Sequence, residues 1–119
     1  MGDFKKLKVW QKSHAVTLAV YKASRKFPKE EIYGLTSQIR RASVSVPANI
    51  AEGCGRNGDT EYARFLQIAM GSASELEYHL LLSQDLGFLV PSDYDQIVRD
   101  LSEVKQMLTS FIKKLKAEG

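Results

Sequence analysis

The sequence predicts an all-α protein, a four-helix bundle whose second helix is kinked at a proline. Three prolines and a set of glycines divide the 119 residues into four segments, each long enough for a substantial helix. Apolar residues recur in these segments at the three- and four-residue spacing of helices that bury one face. The length suits a single domain, residues 1–119, with a hydrophobic core of its own.

The last segment has the clearest helical pattern. Its apolar residues follow the alternating three- and four-residue spacing of a bundle helix: Tyr94, Ile97, Leu101, Val104, Leu108, Phe111 and Leu115. The third segment, from about Asp59 to Leu86, has a broader apolar stripe than a single seam needs. Small residues cluster at its middle, from Gly71 to Ser74, where they let another helix approach closely.

The first segment, from about Phe4 to Phe27, carries two apolar faces. A helix of a monomeric bundle needs one buried stripe, so the second face is either extra core or a subunit interface. Because Trp and Tyr are favoured at interfaces, we predict that this face joins subunits of an oligomer. Its residues are Leu7, Trp10, His14, Leu18 and Tyr21.

The second segment, from about Tyr33 to Gly53, permits two interpretations. Its apolar residues recur at helical spacing, but residues 42–46 also alternate as in a strand. A strand would have no partner, since no other segment alternates in this way. We therefore predict a helix that kinks at Pro47, which lacks an N–H and clashes with the carbonyl of Ser43.

Charge is distributed unevenly along the chain. Residues 1–56 hold eleven Lys/Arg and four Asp/Glu, whereas residues 57–119 hold six and ten. The basic half predicts a surface that binds RNA or DNA, with a merely solvated surface as the alternative. No base-reading pattern is present, so we expect contacts to backbone phosphates. The candidate residues are Lys5, Lys6, Lys8, Lys12, Lys22, Arg25, Lys26, Arg40, Arg41 and Arg56.

Enzymatic, metal and cofactor sites are not predicted. Residues 53–58 satisfy G-x-G-x-x-G, but without a preceding strand they indicate a helix end and a turn. His14 and His79 lack the Glu-x-x-His spacing of di-iron bundles. Cys54 has no histidine placed beside it and is expected to be a small buried side chain. We expect no catalysis, no metal and no cofactor.

The composition also bears on location. No apolar run approaches the ~18 residues of a membrane span, so we expect no membrane partner. The N-terminus has no apolar stretch of the signal-peptide type. Cys54 is the single cysteine, which favours a reducing cytoplasm over a disulfide-forming compartment.

Five blocks of the sequence form one signature. They are residues 4–12 (FKKLKVWQK), 27–35 (FPKEEIYGL), 38–42 (QIRRA), 45–53 (SVPANIAEG) and 69–77 (AMGSASELE). Together they resemble the bacterial four-helix bundle proteins encoded in intervening sequences of 23S ribosomal RNA genes. Relatives in that resemblance include the accessory protein of diversity-generating retroelements, which partners a reverse transcriptase and RNA.

The resemblance implies an antiparallel up-and-down four-helix protomer that assembles into a ring-shaped homopentamer. It also implies a basic surface available to nucleic acid, and no established catalytic activity. The family's Arg-Arg-Ala block falls on residues 40–42, and its Asn-Ile-Ala-Glu-Gly block on residues 49–53. Two functions remain open: a nucleic-acid-binding oligomer, or a scaffold that docks an acidic or polymerase-like protein partner.

Overall fold

The computed structural model describes residues 2–118, which form four α-helices, two short 3-10 helices and no strand. The α-helices are α1 (Lys8–Ser24), α2 (Leu35–Cys54), α3 (Asp59–Asp85) and α4 (Pro91–Glu118). The 3-10 helices, Phe4–Lys6 and Lys29–Glu31, lie before α1 and between α1 and α2. The all-helical prediction is confirmed, although the first helix is shorter at both ends than its apolar pattern. Within residues 2–118, no helix is long and apolar enough to cross a membrane.

Each helix packs against the next, and α4 returns to pack against α1. Within residues 2–118, no Cα of α1 lies within 8 Å of a Cα of α3, and the same holds for α2 and α4. The four helices therefore occupy the corners of a bundle, with α1 and α3 at diagonally opposite corners. Their apolar stripes meet in one core, to which α4 contributes Ile97, Leu101, Val104, Leu108 and Leu115.

Pro47 lies inside α2, which continues from Leu35 to Cys54, so a helix rather than a strand is confirmed there. A proline has no N–H to donate to the carbonyl four residues earlier, here that of Ser43. The Thr17 hydroxyl of α1 donates to this carbonyl instead, at 2.7 Å and away from solvent. A side chain of the neighbouring helix thus replaces the missing backbone donor.

The glycines at residues 53–58 end one helix and bring the next close to it. A Cβ added at Gly53 would lie 2.9 Å from Phe65 Cβ and 3.1 Å from Tyr62 Cδ1. Only a residue without a side chain allows α2 and α3 to approach so closely. Gly58 has a φ of +85°, in the left-handed region, and directly precedes α3. The predicted helix end and turn is therefore confirmed.

Candidate nucleic-acid and subunit interfaces

The predicted subunit-interface stripe lies on α1 and the residue before it. The N-terminal part of the stripe packs within the chain itself. The Trp10 ring centroid lies 5.0 Å from that of Phe4, edge-to-face, and 4.9 Å from that of His14, in a stacked arrangement. The C-terminal part of the stripe is exposed to solvent, and Leu18 there is 58% exposed. The stripe thus divides into half-buried residues (Leu7 and Trp10) and exposed ones (His14, Leu18 and Tyr21).

Val44 of α2 extends this exposed surface, and sequence reasoning missed it. The Thr17–Ser43 hydrogen bond joins α1 and α2 one residue before Leu18 and Val44, so these two side chains lie at the same level. Val44 is 41% exposed although it is apolar. The sequence does contain a signal for this exposure. Residues 42, 44 and 46 are apolar, but a helix cannot turn every second residue towards the same core, so one of them is expected to face solvent. Leu18, Tyr21 and Val44 form what we call the α1–α2 apolar face.

Two of the candidate phosphate-binding residues are paired with carboxylates of the same chain. Lys12 pairs with Glu103, and that hydrogen bond raises the pKa of the lysine. Arg56 Nη2 donates to Glu52 Oε2 at 2.7 Å, one helical turn away, while its guanidinium lies 4.8 Å from the Phe65 ring centroid. Such pairing reduces the charge that these residues can offer to a phosphate.

Arg40 and Arg41, which are adjacent in α2, have different surroundings. Arg40 is half-buried, donates to Ser24 Oγ at 2.8 Å and lies 4.8 Å from the Tyr21 ring centroid. Arg41 is exposed and lines a polar groove between α2 and α3. Arg40 therefore joins α2 to α1, whereas Arg41 is free to meet an anion.

The other candidates are exposed cations. Within residues 2–118, none of them has a carboxylate oxygen within 4.0 Å. Together with Arg41 they form a set of seven: Lys5, Lys6, Lys8, Lys22, Arg25, Lys26 and Arg41. No carboxylate of residues 2–118 is therefore paired with them in competition with an approaching phosphate.

The fold adds a cation from the other end of the chain to this set. Lys114 of α4 lines the same groove as Lys8, with Leu7 and Phe111 among the apolar residues beside them. Lys114 is not among the phosphate-binding candidates that the sequence predicted. Nothing in the local pattern indicates that residues so far apart in sequence share a groove.

Cys54 and His79, whose residue types can act as nucleophiles or metal ligands, each interact with a different partner. The Cys54 thiol is buried and donates to the carbonyl of Gly2 at 3.3 Å. His79 is buried, with Nε2 3.1 Å from Glu75 Oε2. Residues 2–118 contain no group of three or more His, Cys, Asp or Glu able to hold a metal ion.

Two comparisons with known proteins found similar sequences or structures. Residues 5–110 match the model of the 23S rRNA-intervening sequence protein family. A similar solved structure is that of a protein with unknown function from the S23 ribosomal protein family of Bacteroides thetaiotaomicron. It is 28% identical, with 88% of this chain and 98% of that chain covered and a TM-score of 0.79. A comparison with curated proteins found no match.

Proposed function

Because this chain belongs to the 23S rRNA-intervening sequence protein family, we propose that it is a non-enzymatic, ring-shaped homopentamer that binds RNA or DNA. The family name describes where such genes lie, and the similar S23 structure is of a protein with unknown function. The proposal therefore depends on the seven exposed cations without carboxylate partners. A cytoplasmic location is part of it, in keeping with the free Cys54 thiol.

In this proposal the protomer is one domain, an antiparallel up-and-down bundle. The contacts between α1 and α2 support opposite helix directions, because they pair residues in opposite order. Thr17 bonds to Ser43, whereas Ser24, further along α1, bonds to Arg40, earlier in α2. The connection of four residues between α2 and α3, Gly55–Gly58, also suits antiparallel neighbours.

A kink in α2 at Pro47 is the second architectural part of the proposal. A proline inside a helix breaks one hydrogen bond of the ladder and is the commonest cause of a sharp bend. The Ser43 carbonyl accepts from Thr17 of α1, and this contact supports a local change of helix direction.

Charge segregation along the chain supports phosphate binding. Between Asp3 and Glu30 the sequence holds eight cations and no carboxylate, and between Glu31 and Glu52 only Arg40 and Arg41 are charged. A surface built from these segments attracts polyanions, and each phosphate contact releases condensed counterions. Five copies in a ring would repeat every contact and add avidity.

The test is fluorescence anisotropy with unrelated RNA and DNA hairpins over a range of salt concentrations. The variant Lys5→Ala/Lys6→Ala/Lys8→Ala removes three exposed cations, and we expect weaker binding to every hairpin. The slope of log affinity against log salt should fall by about one unit for each lost phosphate contact.

The matched control removes three cations that already have carboxylate partners. It is Lys12→Ala/Lys105→Ala/Arg64→Ala, whose residues pair with Glu103, Glu77 and Glu61. Net charge changes equally in both variants, so a larger slope change in the first locates the phosphate contacts. No binding at low salt, or an unchanged slope in the first variant, would refute nucleic-acid binding.

A scaffold that docks an acidic or polymerase-like protein is the alternative function, since exposed cations also suit acidic protein surfaces. Affinity purification from the native cells, with and without nuclease, separates the two. A partner protein retained after nuclease treatment supports the scaffold, and one lost with the nucleic acid supports the first proposal.

Light scattering tests the oligomer separately. The wild type should have a mass near five times the 13.4 kDa of one chain. Trp10→Ala should weaken assembly by a few kcal/mol if Trp10 lies at the interface. Tyr33→Ala, at a site 96% exposed and on the α1–α2 connection, is the control. A monomer mass for the wild type at micromolar concentration would refute the oligomer.

A further inference from the structure

Two exposed apolar surfaces lie on this chain, the first on α1 and α2 and the second on α3. The first is the α1–α2 apolar face defined above. The second, the α3 apolar face, consists of Ile68, Gly71 and Tyr78, which fall on one side of α3 at helical spacing. No Cα of α1 lies within 8 Å of a Cα of α3, so Leu18 and Tyr21 of the first face lie apart from the α3 apolar face.

The two faces are surrounded by opposite charges. The stretches Lys8–Arg25 and Leu35–Ala51, which carry the first face, hold six cations and no carboxylate. The stretch Phe65–Asp85 of α3, which carries the second face, holds three carboxylates and no lysine or arginine. Lys12 pairs with Glu103 and Glu77 pairs with Lys105, which leaves five cations in the first set of stretches and Glu75 and Asp85 in the second.

Gly71 is an exposed glycine inside a long helix, where glycine is destabilising relative to alanine. A Cβ added there would meet nothing within 4 Å, so the protomer itself does not require a glycine. Gly53 differs in this respect, since its Cβ would clash with Phe65. Close packing of another chain against Gly71 would account for the absence of a side chain.

We propose that the α1–α2 apolar face of one protomer docks on the α3 apolar face of a second copy of this chain. The inference rests on the oligomer of the proposed function and names the two surfaces that form it. Two α1–α2 faces would bring cations against cations, and two α3 faces would bring carboxylates against carboxylates. Only the unlike pair buries both apolar faces with complementary charge.

Head-to-tail contacts between two different surfaces generate a ring when the rotation between neighbours closes, whereas a self-complementary surface generates a two-fold dimer. In the head-to-tail arrangement, Lys22 of one protomer lies near the carboxylates of the next protomer's α3. Lys5, Lys6 and Lys8, which precede this region of α1, remain available to phosphates.

The experiment uses one variant for each face. Leu18→Glu adds a carboxylate to the α1–α2 apolar face, and Tyr78→Lys adds a cation to the α3 apolar face. Both sites are 58% exposed, so neither substitution disturbs the core. By light scattering, each variant alone should have the mass of one chain. An equimolar mixture should form a complex of two chains, because each variant retains the face that the other has lost.

Two further variants complete the design. Val90→Glu places a carboxylate at a site 52% exposed but outside both faces, and its mass should equal that of the wild type. Gly71→Leu, whose Cβ would meet nothing within 4 Å in the protomer, should dissociate the assembly as Tyr78→Lys does. Thermal unfolding of every variant checks that the protomer remains folded.

The outcomes separate this inference from the proposal on which it rests. If either face variant alone retains the wild-type mass, or if the mixture remains monomeric, the head-to-tail pairing is wrong while the oligomer stands. If the wild type is itself a monomer, the oligomer and the pairing fail together. Hairpin binding by the Lys5/Lys6/Lys8 variant tests the nucleic-acid proposal independently of either result.

Discussion

Removing the Thr17 hydroxyl tests how a proline is accommodated inside a buried helix. In the variant Thr17→Val the side chain keeps its shape but loses the donor to the Ser43 carbonyl. Pro47 has no N–H to donate to that carbonyl, whose hydrogen bond from Thr17 is buried and 2.7 Å long. The Thr17 hydroxyl also lies 3.1 Å from the carbonyl oxygen of Ser13 in α1. The Ser13 carbonyl is the α-helical acceptor of the Thr17 backbone N–H, so it depends less on the hydroxyl.

The expected loss follows from leaving a buried acceptor unpaired, which costs about 1–3 kcal/mol. A surface hydroxyl would be worth far less, since water replaces its bonds. Pro47→Ala supplies a backbone N–H to the same carbonyl and should cost little stability. In that background Thr17→Val should be less destabilising, so the two substitutions should be coupled by ~1 kcal/mol or more.

Urea unfolding at one protein concentration measures the four free energies of this cycle. Thr17→Ser, which retains a hydroxyl on a smaller side chain, is the control for lost packing. A cost of Thr17→Val that is equal in the proline and alanine backgrounds would show that the Ser43 carbonyl does not depend on Thr17. The explanation of how α2 accommodates Pro47 would then be wrong.

Two further predictions concern the contact between α2 and α3. Gly53→Ala should lower the free energy of unfolding by about 1–3 kcal/mol, because its Cβ would lie 2.9 Å from Phe65 Cβ. Gly55→Ala is the control in the same urea-unfolding measurement. It should be nearly neutral, since its Cβ would make only ordinary van der Waals contacts. Burial raises the pKa of Tyr62, with Cys54 as a lesser cause, so the folded protein should lose stability as pH rises above about 10, where only the unfolded tyrosine ionises. Thermal unfolding from pH 8 to pH 11 should show a smaller alkaline loss for Tyr62→Phe than for the control Tyr33→Phe, and parallel profiles would contradict the role of burial.

Much of the helical organisation was predictable because it depends on neighbours in sequence. The three- and four-residue spacing of α4 identified its buried residues, Ile97 and Leu101 among them, before any contact was known. Arg56 and Glu52 pair as their four-residue separation indicates. The different surroundings of Arg40 and Arg41 follow from the 100° between consecutive residues of a helix.

The prediction of the site was weaker, since exposure is decided by which helices meet. Lys12 lies in a basic segment of the sequence, but in the folded chain it pairs with Glu103 of α4. Lys8 and Lys114 come from opposite ends of the chain and line one groove. No spacing rule connects such residues, because their proximity arises only after the helices have packed.

The amino-acid sequence by itself determined the four helices, the turn at residues 53–58 and the basic character of the first half. These features follow from backbone geometry and residue type over a few positions. The tertiary structure alone decided which cations stay without partners, which apolar residues stay exposed, and how the carbonyl of Ser43 is satisfied. Each of these depends on side chains from a different helix, brought within hydrogen-bonding or packing distance by burial of the common core.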